Sequence, residues 1–526
     1  MAGPDDISEM LRKLLLGQGR TEKMVTEQKE LAEKQAAKAE EQAAEAAAQI
    51  SELKEQVGKQ AALLAALAAT RGVASPDTPA QLGHQNMETL VRLGNVRVLE
   101  PGVGPSILTL QQQTELASLA VGGAPEAAIV HYMAPHLRTL RQPGAGEPSA
   151  ADPVPLVMVN SEAYVWLVHP AVLGVANQRL KPDLFLTWAP FVELRGDDQS
   201  FPHGVLASPA LQKAGCVAEL FEGKNGALGS EDFGKQCLYH KCISGQFKSA
   251  LFNQEQCWLL ETMHGNPVRL LKMHWTTPGS VRELQCFLGA QSTPPLVQLL
   301  RRMLTDQKLA TLSPAGRCHL GSGASGHVFV VHRTIDATRT PLALKLVPKV
   351  YAGELHSEFT QMLVAAAAGA PVVAPVPDSL RIYPGNAAAA SASAEALAPP
   401  CASGGYLLSR VGVRFATTTK GGVKAAFAAL AALHTCRIYH GDARTANLLD
   451  IGGQALWIDL RTGIVDAGEA GPLPLEQQGF DAAVLARSIL PQDRPVPPSL
   501  QGALRLYNAA LPGTVADLAQ AVWDAL

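Results

Sequence analysis

Within residues 439–463, YHGDARTANLLDIGGQALWIDLRTG, the side chains of His440, Asp442 and Asn447 fall on one short loop, and Asp459 follows the apolar run 455–458. That run reads as a buried strand presenting a carboxylate at its end. Two carboxylates and a carboxamide at these spacings suit phosphoryl transfer, which asks little covalent work of a protein and much positioning and charge neutralisation. Taken alone, HGDARTAN would also serve as a turn rich in hydrogen-bonding side chains.

The spacing of His440, Asp442 and Asn447 resembles the catalytic loop of the protein-kinase-like superfamily. Asp459 resembles the aspartate of that family's next motif, Asp-Phe-Gly, which here reads Asp459, Leu460, Arg461. The resemblance implies that Asp442 accepts the proton of an attacking hydroxyl. It implies that Asn447 and Asp459 hold Mg2+, a hard cation that prefers oxygen ligands. Arg444, two residues beyond Asp442, would be a cation within reach of the transferred phosphate, or an ordinary surface arginine.

Elements that must position these groups follow from the upstream pattern. Gly321, Gly323 and Gly326, with Val328, match the family's glycine loop for ATP. HVFVVHR then continues as an alternating strand, whereas a dinucleotide-binding turn should open a helix, and no Lys-Ser or Lys-Thr follows to make a Walker loop. Lys345, in the strand PLALKLV, matches the lysine that pairs the nucleotide phosphates. An ammonium in an apolar strand needs a partner. The next helical run offers Glu354 and Glu358, with Glu358 favoured because Met362 and Leu363 then pack inward. Asp481 resembles the buried aspartate that braces the catalytic loop, or is a helix N-cap.

A second constellation lies upstream. Pro182 and Asp183 precede the apolar strand LFLTW, and a later strand ends in Glu222, Gly223 and Lys224. Positions two apart on a strand share a face, so Glu222 and Lys224 point the same way. Two carboxylates and a lysine at strand ends can hold a divalent metal and orient a water toward a phosphodiester. The pattern resembles restriction-endonuclease-like PD-(D/E)xK nucleases, which implies Asp183 and Glu222 as metal ligands and Lys224 as the residue positioning the water. Glu162, in a stretch read as helical, would be an added acid, and Gln236 and Tyr239 resemble helix residues of some branches. Lys235, Lys241 and Lys248 either track phosphates or form a solvated face. The order of a nuclease-like module before a kinase-like one resembles crinkler-type proteins.

The 526 residues carry a formal net charge of −3, which disfavours a large sequence-independent nucleic-acid surface, so any DNA contact would be local. Eight scattered cysteines and no basic-then-apolar leader predict reduced thiols in an intracellular, cytoplasmic or nuclear protein, with no membrane span. CLYHKC, residues 237–242, lacks the second ligand pair a zinc site needs. Residues 1–72 read as a long Ala-, Glu- and Lys-rich helix, either solvated or a coiled coil over its last heptads that would give a homo-oligomer.

The expected fold class is therefore α+β and multidomain. Residues 1–72 form the helix, 73–154 a linker and unassigned region, and 155–300 an α/β nuclease-like core. Residues 312–526 form a bilobal kinase-like domain with a disordered insertion at 384–404. The expected activity is transfer of the γ-phosphate of ATP to a protein hydroxyl. The substituted Leu460 and Arg461 leave open a nucleotide-binding pseudokinase scaffold, and the upstream site leaves open a metal-dependent DNA nuclease regulated by the kinase-like domain.

Overall fold

The computed structural model describes residues 79–121, 125–141, 152–168, 179–195, 202–243, 245–289, 293–311, 318–323, 326–384, 401–460, 472–491, 496–508 and 514–526. The expected N-terminal helix at 1–72 lies outside them, as do Arg461 and most of the expected insertion. Among the described residues no helix is long and apolar enough to cross a membrane. Strands and helices mix throughout, in an α+β arrangement with several sheets.

The first body begins with α1 (Pro79–Arg92), β1 (Val96–Val98), α2 (Leu110–Val121) and α3 (Glu126–Arg141). It continues with β2 (Leu156–Asn160), β3 (Leu184–Trp188), β4 (Val217–Gly223) and α4 (Ser230–Lys241). After these come β5 (Gln246–Phe252), β6 (Gln256–Met263), β7 (Asn266–His274) and α5 (Ser280–Gly289). The seven strands form one sheet in the order β1-β7-β6-β5-β4-β3-β2. β4 pairs antiparallel with β3 and parallel with β5, and every one of its residues is buried, as expected of a strand covered on both faces. The β6–β7 hairpin turns at His264 and Gly265, both at positive φ, in keeping with a tight two-residue connection.

Residues upstream of 155, unassigned by sequence, belong to this body. β1 adds an edge strand parallel to β7, and α1 lies against α4. That contact depends on two glycines. A Cβ on Gly83 would stand 1.7 Å from Ser230 O, and one on Gly234 would stand 1.6 Å from Pro79 O.

α6 (Pro295–Asp306) joins the first body to a second sheet. Arg301 makes paired hydrogen bonds to Asp152 at one end of the helix's contacts, and Tyr383 donates to Asp306 at 2.7 Å on the other. The second sheet contains β8 (Leu309–Thr311), β9 (His319–Ser322), β10 (His327–Arg333) and β11 (Leu342–Tyr351), followed by α7 (Ala352–Ala367), β12 (Arg381–Pro384) and β13 (Cys401–Leu408). Its order is β8-β10-β11-β13-β12, with β9 also on β10, and all pairs are antiparallel. One apolar core runs through both bodies: Phe329, Leu344 and Leu407 of this sheet share it with Leu300, Met303 and Phe191. The rings of Phe191 and Phe329 are 5.6 Å apart.

Residues 401–404 correct the expected insertion boundary. They are strand, with Gly404 opposite both Val347 and Ile382. The CASGG composition that reads as disorder reflects close approach instead: a Cβ on Gly404 would meet Arg381 O at 2.5 Å and one on Gly405 would meet Lys345 O at 2.3 Å.

The other face of this sheet packs on a helical part through a second core. Here β14 (Val413–Arg414) precedes α8 (Lys420–Thr435), and the hairpin β15 (Leu448–Ile451) and β16 (Gln454–Trp457) completes a three-stranded sheet. α9 (Leu475–Ile489), α10 (Pro498–Asn508) and α11 (Thr514–Asp524) follow.

The glycine crossing gives a direct test. Gly234→Ala should lower stability by ~3 kcal/mol, because the clash is with backbone that has no rotamer to yield. Gly502→Ala, in α10 with open space around it, should be neutral or gain up to about 1 kcal/mol. Urea unfolding midpoints of the two variants check this.

Candidate active site

Lys345 sits in the middle of β11, directly opposite Val328 on β10 and Tyr406 on β13. Its residue is only 4 % exposed, so its ammonium must be paired. It is paired twice, to Glu358 of α7 at 2.6 Å and to Asp459 at 2.5 Å. Burial works against the charged form, but Asp459 and Glu358 outweigh it, and the ammonium is held above its ordinary value. Tyr406 also donates its hydroxyl to Glu358. Asp459 adopts φ of +59°, in the left-handed region that Asp tolerates better than most residues.

Glycine-loop geometry is partly in view. Gly323 N donates to Gly326 O at 2.9 Å, closing the turn between β9 and β10. A Cβ at Gly326 would meet Leu346 O at 2.5 Å, while Gly321 and Gly323 face open space. Val328 and Leu449 are partly buried against the second core, to which Ala343 and Leu408 belong.

The loop after α8 brings the remaining groups together. Asn447 donates its amide to Asp442 O at 2.9 Å and to Asp442 Oδ2 at 3.2 Å, which leaves its carboxamide oxygen as the acceptor it can offer. Ile458 N donates to Asn447 O, tying the segment before Asp459 to the loop. Arg444 grips both oxygens of Asp442, Nε to Oδ1 at 2.6 Å and Nη2 to Oδ2 at 2.7 Å. His440 is buried against Trp457 with ring centroids 4.9 Å apart, and burial holds its imidazole below the usual range.

Asp481 lies inside α9, whose N-cap is Pro474, so its N-cap alternative fails. Fully buried, it accepts from His440 N at 2.8 Å and Gly441 N at 2.9 Å and contacts His434 Nε2 at 3.1 Å. It fixes the backbone of the loop that carries Asp442.

In the first body, antiparallel pairing of β3 with β4 brings the start of one to the end of the other. Asp183 Oδ2 accepts from Gly223 N at 2.8 Å. Glu222, 1 % exposed, pairs with Lys224 at 2.9 Å and also with Lys235. Burial first, then the neighbouring Glu222, pushes the Asp183 carboxyl up to about 8. Lys224 pays the usual burial penalty, but Glu222 and Glu126 more than reverse it. Glu222 Oε2 is buried without a hydrogen-bond partner, an atom suited to a cation. Among the described residues no three His, Cys, Asp or Glu side chains form a ready-made metal cage.

Several expectations change. Glu162 is in a turn, with its N–H on Asn160 Oδ1 at 2.9 Å, and no helix forms there. The helical acid at the site is Glu126, at the start of α3, which pairs with Lys224. Lys248 is buried and donates to Phe287 O, so it tracks no phosphate. Gln236 donates to Ala250 O at 3.2 Å, and Tyr239 donates to Lys181 O at 3.1 Å. Cys237 and Cys242 are free buried thiols, each pushed up to about 12 by burial.

No family model matches the chain, and no curated protein matches it in sequence. Among solved structures it is similar to the PknI kinase domain of Mycobacterium tuberculosis, at 19 % identity over 40 % of this chain and 94 % of that one, with a TM-score of 0.25. It is similar to the ROP18 kinase domain in complex with AMP-PNP and sucrose, at 12 % identity over 43 % and 90 %, with a TM-score of 0.28. It is also similar to WaaP in complex with acyl carrier protein, at 12 % identity over 39 % and 86 %, with a TM-score of 0.24. At these scores the functional reading must rest on this chain's own side chains.

The Asp183 carboxyl gives a pH signature. A carboxyl raised on folding binds its proton more tightly in the native state, so its stabilising effect is complete below about pH 4 and disappears as pH rises toward about 8. Wild type should therefore lose stability between about pH 4 and pH 8 relative to Asp183→Asn, whose profile lacks this component. Melting temperatures across that range, without divalent metal, check the difference.

Proposed function

We propose that residues 312–526 form an ATP-dependent phosphotransferase of the protein-kinase type, acting on a protein hydroxyl. The observation that carries this reading is the double pairing of Lys345 with Glu358 and Asp459, which joins the glycine-loop sheet to the segment bearing the catalytic-loop residues. Val328, Ala343, Leu408 and Leu449 offer an apolar surface of the kind an adenine ring occupies. Gly321 and Gly323, with open space where a Cβ would stand, suit close approach of phosphates to the backbone amides there, while Gly326 permits close contact with β11.

In this reading Lys345 binds the α- and β-phosphates, and those phosphates compete with Asp459 for its ammonium. Asp442 takes the proton of the attacking hydroxyl as the new oxygen–phosphorus bond forms and the bond from the γ-phosphorus to the leaving ADP oxygen breaks. Arg444, whose side chain is 52 % exposed, can leave Asp442 at small cost and offer its charge to the transferred group. Asn447 and Asp459 would hold Mg2+, which supplies charge neutralisation to the phosphates. Asp481 keeps the loop backbone in place throughout.

Asp442→Ala should lower γ-phosphate transfer to a protein acceptor by about 10²- to 10⁴-fold with nucleotide binding retained. Radiolabelled ATP with Mg2+ reads transfer, and equilibrium titration reads binding. Transfer unchanged in the variant would remove Asp442 from its role. Binding without transfer in wild type would leave a pseudokinase scaffold.

A second reading concerns the first body and rests on the buried, unpartnered Glu222 Oε2 beside Asp183 and Lys224. We propose a metal-dependent DNA nuclease site there, with Asp183 and Glu222 as ligands and Lys224 positioning a water. Cleavage of linear DNA should require Mg2+ or Mn2+ and vanish in Lys224→Ala. Absence of cleavage by wild type on single- and double-stranded DNA would end this reading.

A further inference from the structure

The phenol of Tyr406 is the least expected group at the Lys345 site. β13 places it directly opposite Lys345, and in an antiparallel pair directly opposed side chains lie on the same face. The Tyr406 hydroxyl donates to Glu358 Oε1, the same oxygen that receives Lys345 at 2.6 Å. Its ring lies edge-on to Phe359, the next residue of α7, with centroids 5.4 Å apart. The Lys345 ammonium is 5.9 Å from the ring centroid. At 1 % exposure the phenol is shielded from water, and burial together with Glu358 keeps it protonated, so its proton is available to donate to Glu358.

We propose that Tyr406 is a positioning residue for the nucleotide phosphates: its hydroxyl holds the Glu358 carboxylate, and that carboxylate in turn sets Lys345. The proposal rests on the phosphotransferase reading above.

The physical need arises from Asp459. Lys345 has two anionic partners on different parts of the fold, and a nucleotide must displace Asp459 without drawing the ammonium off Glu358. A glutamate has three rotatable bonds, and a lysine stem has four, so a pair tied only to each other can shift together. Tyr406 has two rotatable bonds to its ring, and Phe359 and the strand backbone fix them. Its hydrogen bond anchors the carboxylate to the sheet that carries Lys345, and it persists when the lysine turns toward phosphate. A buried hydroxyl left without a partner would itself be costly, so a purely apolar residue would be the simpler choice if packing alone were needed.

The test uses the full chain and compares wild type, Tyr406→Phe, Glu358→Ala and the double variant. Each is titrated with ATP and Mg2+, and separately with adenosine, which lacks phosphates. Tyr406→Phe keeps the ring and should keep the fold, as a melting curve will report. It should weaken ATP by about five- to tenfold, the upper range of one ordinary hydrogen bond, while adenosine affinity stays within about twofold of wild type. In the Glu358→Ala background, adding Tyr406→Phe should change ATP affinity by less than about twofold, because the group it acts through is gone. Equal ATP affinity in wild type and Tyr406→Phe overturns the proposal and leaves the phosphotransferase reading standing. An equal loss with and without Glu358, or a parallel loss for adenosine, also overturns it, since either would mark Tyr406 as a packing residue. Failure of wild type to bind ATP at all overturns both.

Discussion

A single buried ammonium organises the C-terminal half of this protein. Lys345 lies in an apolar strand where an unpaired charge would be untenable, so the fold must deliver anions to it. It does so from two directions, with Glu358 from the helix that follows the strand and Asp459 from beyond the β15–β16 hairpin. Satisfying that one charge fixes the rotation of α7 on the sheet. It also fixes the approach of the segment that carries Asp442, Asn447 and Asp459. Asp481 does comparable work in the helical part, where one carboxylate satisfies two backbone amides and a histidine. The site is thus built from buried charges whose partners come from distant parts of the chain.

The upstream site follows the same logic with the signs reversed. There the buried groups are carboxylates, and Lys224 and Lys235 are the cations that compensate Glu222. Asp183 receives one backbone amide, and its burial first, with the nearby Glu222 charge second, is why its proton is retained toward neutrality. Two sites of opposite polarity therefore stand in one chain, one where β3 begins and β4 ends, the other built on the middle of β11.

Local patterns were legible in the sequence, and distant partnerships were not. Lys345 with Glu358 could be read because strand and helix periodicities place them one after the other in the chain. Asp442 and Asn447 could be read because both lie on one short loop, and Glu222 with Lys224 because strand positions alternate. Glu126 could not, since an acid in the first turn of a helix is commonplace and its partner is 98 residues away. Nothing in the sequence around Tyr406 sets it apart from its apolar strand neighbours. Glu162 was misplaced because SEAYVWLV has helical composition, whereas Asn160 and Ser161 capture the backbone in a turn. The strand start at 401–405 reads as disorder because Gly404 and Gly405, required by close strand contacts, resemble the glycines of a flexible linker.

The continuous core through α6 bears on how this protein can be divided. Phe329, Leu344 and Leu407 lie on the face of the second sheet that shares a core with the first body, where each contributes roughly 1.5–3 kcal/mol by leaving water. A fragment cut at residue 312 would lay that surface bare, so the boundary suggested by motifs is a seam in sequence and an interior in space. The first body and the second sheet therefore share one interior, and neither is covered without the other.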